Sequence, residues 1–180
     1  MSRLDPPNSE ALSEAQQRVH DEITSGPRGS VRGPLAVWLW RPEMASRAQA
    51  LGQYCRYDSS LPARLSELAI LITARYWSSE FEWQHHKPIA LDAGVDSDLV
   101  EAIRVGGTPE FKNADENIVF EFANELLNKR VVSDATYQTA IETLGENEVV
   151  DLVAVLGYYG LISMTINVFQ VPTSMPAELS

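Results

Sequence analysis

Apolar positions along the chain recur at three- and four-residue intervals, the spacing of one face of an α-helix, and no stretch alternates as a strand would. Leu12, Val19 and Ile23 mark a first helix over 9–23, preceded by Pro6 and Pro7. Residues 25–34 (SGPRGSVRGP) read as an exposed Gly/Pro-rich connection, and they lack the GxxxxGK[ST] order of a phosphate loop. Pro42 opens a helix that runs to Tyr57, because a proline in the first turn gives up no helical hydrogen bond. Pro62 opens the next, with Leu65, Leu68, Ala69, Ile72 and Tyr76 facing inward. A third starts at Ser78 or Ser79 and runs toward Gly94, with a kink expected at Pro88. Ser97 caps a short helix that stops at Gly106 and Gly107. Helices follow over 115–129, 133–144 and 148–169. The pattern predicts an all-α domain of seven to eight helices.

The last of these changes the picture most. Residues 152–177 contain no charged side chain, which is length enough to cross a bilayer. The stretch also carries Tyr158, Tyr159, Ser163, Thr165, Asn167 and Gln170, and it is flanked by Asp151 and Glu178 with no basic anchor. It therefore reads as a buried helix at the centre of a bundle or an oligomer, and no membrane partner is expected. The balance of 14 basic against 25 acidic residues gives a formal net charge of −11. That charge argues against nucleic acid and against an anionic membrane surface. The single cysteine, Cys55, allows no internal disulfide, no CxxC pair and no cysteine-based zinc site. The N-terminus has no secretory apolar core, and a reducing, cytoplasmic setting is expected.

The densest polar cluster in apolar surroundings is Ser78-Ser-Glu-Phe-Glu-Trp-Gln-His-His86. On a helix, Ser79, Glu82 and His86 share one face, and Glu82 lies one turn before His86. A carboxylate in that position orients the imidazole and raises its pKa, which makes an acid–base pair. Glu67 lies 19 residues before His86. On one straight helix that is about 28 Å, too far to cooperate. If a new helix starts at Ser78 or Ser79, the chain folds back and Glu67 meets His86 across the corner. A second reading of Ser79-x-x-Glu82 is a capping box, with Glu82 only satisfying a helix N-terminus and His86 an ordinary buried histidine. His85, about 100° around the helix from His86, is expected to face elsewhere. Glu82, His86 and His85 are too few for a metal set. Cys55 reads as a buried, inert thiol, and Trp38, Trp40, Trp77 and Trp83 as core or interface residues.

The order Glu67, apolar helix, Glu82-Trp83-x-x-His86 and Ala90-x-x-Ala93-Gly94 resembles the carboxymuconolactone decarboxylase family, within the alkylhydroperoxidase D-like superfamily. Gly33-Pro34-x-x-Val37-Trp38, Leu51-Gly52-x-Tyr54, Arg56-Tyr57, Leu61-Pro62-x-Arg64-x-x-Glu67 and Gly157-Tyr158-Tyr159 are similar to a long-form subgroup without the CxxC pair, over about 33–171. The resemblance implies an alkylhydroperoxidase D-like helical bundle, one domain over 1–180 with 1–32 as an extension, assembled as a trimer or hexamer. It matches Glu67 and His86 to the family's acid and histidine. The two cysteines of the peroxidase branch fall on Ser79 and Glu82, so thiol peroxidase chemistry is not expected.

What the resemblance implies instead is a cofactor-free lyase or isomerase acting on a small carboxylated lactone or enolisable acid. His86 would donate the proton, Glu82 would orient it and Glu67 would be a second acid–base group. Ser79, Arg56, Arg75 and Trp83 are the expected substrate contacts, with Arg64 a further cation. No metal or cofactor is expected. The alternatives are peroxiredoxin-type ancestry without thiol activity, and a non-catalytic helical oligomer that binds a small ligand.

Overall fold

The computed structural model describes residues 2–179, which form nine α-helices, one π-helical turn and no strand. In chain order these are α1 (Glu14–Ser25), α2 (Pro34–Trp38), α3 (Pro42–Gln53), the π turn (Tyr54–Asp58), α4 (Ala63–Tyr76), α5 (Glu80–Asp92), α6 (Ser97–Arg104), α7 (Ala114–Lys129), α8 (Asp134–Leu144) and α9 (Glu146–Phe169). The all-α class is as expected. The helix beyond the seven or eight is α2, inside what reads as a loop and an unassigned apolar stretch. Its start is local chemistry: Gly33 at φ +57° turns the chain, and Pro34 supplies a pre-set first turn. α1 begins five residues later than expected, because Ser13 and Gln16 close a reciprocal capping box there. The helix from Pro42 changes to π geometry for its last turn.

α4 is the axis of the fold. Every residue from Leu65 to Ala74 on it is buried. An element so enclosed must be covered on all sides, and α5, α7 and α9 pack around it. α9 is, among the described residues, the one helix long and apolar enough to span a bilayer, yet 67% of its most apolar window is buried inside the molecule. Its polar side chains explain that placement. Thr165 accepts a hydrogen bond from Trp38 Nε1 at 3.0 Å. Asp151 accepts from Tyr54 Oη and from Ser60 N and Oγ, each at 2.7 Å, which ties the π turn and the next loop to α9. α9 also has an outer side, where Val150, Val153, Leu161, Met164 and Val168 are exposed.

The segment after α9 returns along α5. Glu80 accepts from the backbone N–H groups of Glu178 and Leu179, and Lys87 pairs with Glu178. Leu179 is buried beneath.

Candidate active site

The corner between α4 and α5 brings the acid–base residues together. α4 ends at Tyr76, Trp77 caps it, and Ser78 takes the left-handed conformation at φ 48°, uncommon for a residue with a Cβ. The N–H of Ser79 closes the corner on Ala74 O at 2.8 Å. α5 then runs back along α4, so Glu67 and His86, at similar distances either side of the turn, face each other. His86 Nδ1 is 2.7 Å from Glu67 Oε2, and Nε2 is 3.2 Å from Glu82 Oε2. All three are buried, with His86 only 1% exposed.

The capping-box alternative fails on this geometry. Ser79 is the N-cap of α5, but its side chain caps nothing, and its buried Oγ has no partner among the described residues. Glu82 is turned to His86 instead. Burial opposes a charged imidazole, but hydrogen bonds and charge from Glu67 and Glu82 outweigh it, so the His86 pKa is raised. Charged, the ring donates from both nitrogens and satisfies both carboxylates.

Glu82 and His86 open on a cavity of about 50 Å³. Tyr158 and Tyr159 from α9 form one wall, and the Tyr159 ring meets His86 edge-on with centroids 5.1 Å apart. His85 lines the same cavity, contrary to the expectation from its angle on α5. The cavity wraps around the helix edge, so adjacent residues both reach it. Arg56 Nη1 lies 3.4 Å from His85 Nε2. Burial, the neighbouring His86 and Arg56 push the His85 pKa down to about 4, so this ring is a neutral acceptor. Two successive histidines thus carry opposite protonation preferences.

The opposite wall corrects another expectation. Residues 25–34 are not a mere exposed connection: Arg28, Ser30 and Arg32 line the cavity. Gly33 makes the approach possible, because a Cβ there would lie 2.4 Å from Phe81 Cζ. A wider recess of about 290 Å³ shares Arg32, Phe81 and His85 with the cavity and is bounded by Thr173, Ser174 and Met175.

Of the expected substrate contacts, only Arg56 lines this cavity. Arg75 borders a different recess, against Gly106 between α4, α6 and α7. Trp83 is buried on another side of α5, its Nε1 donating to Glu178 at 3.3 Å. Ser79 is enclosed in the corner. Arg64 is paired with Asp115 at 2.6 Å and Glu116 at 2.5 Å. Cys55 is fully buried in the π turn, and burial first, with the charge of Asp151, pushes its pKa up to about 11. A thiol so held stays protonated at neutral pH.

Residues 42–123 match the family model of the carboxymuconolactone decarboxylase family. No curated protein matches the chain in sequence. Among solved structures, the fold is similar to an uncharacterized peroxidase-related protein with an alkylhydroperoxidase AhpD core from Ralstonia eutropha JMP134, at 16% identity and TM-score 0.77 over 96% of this chain and 92% of that one. It is similar to an uncharacterized peroxidase-related protein from Silicibacter sp. TM1040, at 13% identity and TM-score 0.76 over 95% and 91%. It is also similar to the debrominase Bmp8 solved with 2,3,4-tribromopyrrole, at 14% identity and TM-score 0.73 over 93% and 89%. At these identities the likeness is one of fold.

Proposed function

We propose, for a chain whose residues 42–123 are of the carboxymuconolactone decarboxylase family and whose fold is alkylhydroperoxidase D-like, a cofactor-free lyase or isomerase activity on a small carboxylated lactone or enolisable acid. The observation that carries this reading is the buried His86 held between Glu67 and Glu82, with Glu82 and His86 open to a cavity rimmed by arginines.

When a carboxylate leaves as CO2, its bonding electrons pass into the adjacent carbonyl system, and the carbon must then take up a proton. One substrate carboxylate and one proton give one CO2 and one C–H bond. A charged His86 supplies that proton, and Glu82, beside it on the cavity wall, returns one from solvent. Glu67 does not line the cavity; it holds Nδ1 from behind and is a positioning residue. The arginine side of the cavity stabilises the developing oxyanion. Cys55, buried and held as a thiol, supplies no support for peroxide reduction.

The test is turnover of 4-carboxymuconolactone and smaller 3-oxo acids, followed by CO2 release and ultraviolet absorbance, with His86→Ala alongside. Turnover by the native protein and a loss of at least about 100-fold in the variant is expected. A fully active His86→Ala variant would remove His86 from the mechanism. No turnover of any of these acids would favour the ligand-binding alternative.

A homo-oligomer, trimer or hexamer, is proposed on separate grounds. The exposed apolar row on α9 is the kind of surface that a second copy covers. Light scattering of a monomer at micromolar concentration would end this part of the proposal.

A further inference from the structure

Half of the 14 lysines and arginines of this acidic chain have protein carboxylates. Arg18, Arg47, Arg64, Arg104, Lys87, Lys112 and Lys129 are each in an ion pair. Among the described residues, Arg28 is one of those without such a partner, and of these it is the one with two buried N–H-bearing atoms that make no hydrogen bond, against one in Arg75. Its Nε and Nη2 atoms are buried and make no hydrogen bond. Beside it, Tyr158 is 3% exposed, and its Oη is also buried and unpartnered. The Tyr158 hydroxyl can itself take one N–H from Arg28, which lies against it, but the buried Nε–H and the tyrosine O–H then still lack an acceptor, and buried donors left unsatisfied are costly.

The two side chains converge over Gly52. A Cβ at that position would lie 2.0 Å from Tyr158 Oη and 2.6 Å from Arg28 Nη2. The backbone of α3 is therefore the floor on which the pair rests, and only glycine leaves the room. Both residues line the cavity that holds Glu82 and His86. Both also lie outside residues 42–123.

We infer that Arg28 and Tyr158, seated over Gly52, form the binding site for the carboxylate of a small organic acid. The planar guanidinium offers a fork that matches a carboxylate, and the tyrosine hydroxyl adds a third donor. At about 50 Å³ the cavity takes a compact anionic end, while the rest of a larger acid extends into the adjoining recess past Arg32 and Phe81. The substrate class narrows to acids with their carboxylate at one end and little bulk beside it. This inference rests on the proposed acid–base reading only for the fate of the anion, not for its binding.

The probe is sodium acetate, titrated into the nitrogen-15-labelled full chain at constant ionic strength with acetamide as the neutral control. Saturable shifts of the Arg28 Nε–H signal are expected with acetate and not with acetamide. Arg28→Met should weaken acetate binding at least about tenfold, and Tyr158→Phe about threefold. Arg28→Lys keeps the charge but not the fork, and should weaken binding severalfold. Thermal melts of each variant separate lost binding from lost folding. The inference is overturned by the absence of saturable binding, by equal binding of acetamide, or by unchanged affinity in folded Arg28→Met and Arg28→Lys. Acetate binding that survives in His86→Gln while no acid is turned over keeps the seat and removes the catalytic reading. Turnover that is unchanged in Arg28→Met does the reverse.

Discussion

The two sides of the cavity are built by different means. The acid–base side stands on two regular helices, where periodicity decides which residues meet. Glu82 and His86 are one turn apart on α5, and the Ser78 corner lays Glu67 against them. The cationic side stands on a loop and a π turn, where Arg28, Arg32 and Arg56 are placed by irregular backbone. The adjacent histidines mark the boundary: His86 faces carboxylates and is raised, while His85 faces Arg56 and is pushed down to about 4. On the proposed reading, proton chemistry falls to regular helices and anion recognition to irregular backbone, a division that would let selectivity change without disturbing the reaction.

Breaking the acid–base side should have the largest effect. Glu67→Gln keeps the shape of the side chain and its acceptor oxygen but removes the charge behind Nδ1. The expected result is a fall of about 100-fold in kcat with KM little changed, and a shift of the limb that reports protonated His86 to lower pH. A rate profile from pH 5 to 9 reads both at once. An unmoved limb would mean that Glu67 only fills space.

The same contrast governs stability against pH, with a smaller effect. The folded pKa of His86 is raised above its ordinary value of 6.5. Folding therefore favours the protonated ring, and the gain is fully present below pH 6.5. It is lost as pH rises through the folded value. Calorimetry should find the melting temperature falling over that alkaline window, and Glu67→Gln should flatten the fall. A native protein whose melting temperature rises there would show the ring to be held neutral.

The smallest effect tests which cations matter. Arg75 lies in the recess beside Gly106, away from the cavity. Arg75→Met should leave kcat/KM within about twofold, whereas removing a cavity cation should not. A tenfold loss in the Arg75 variant would relocate the anion site.

What could be read from sequence divides along the same line. Glu82 and His86 were legible because four residues on a helix bring side chains together wherever the helix lies. Glu67 needed one more signal, the serine pair that breaks the helix. Arg75 stands away from the cavity because nearness along the chain is not nearness on a face: eight residues beyond Glu67 on α4 is a rotation of about 80°. Arg28 and Arg32 are not legible in the sequence because their positions depend on non-local facts. Gly33 must fit under Phe81, and Gly52 must leave room for Tyr158. Only the tertiary structure contains those contacts. The charge of the whole chain, −11, gave no hint of a local cationic rim.

α9 has two contrasting sides. Tyr158 and Tyr159 look into the cavity, while Val153, Leu161 and Met164 on its outer side meet solvent in the single chain. If copies join on that outer side, the helix that walls the cavity is also the helix that feels its neighbour. Dilution then becomes a control variable: as subunits part, the tyrosine wall loses its backing, and activity per chain declines with concentration by mass action.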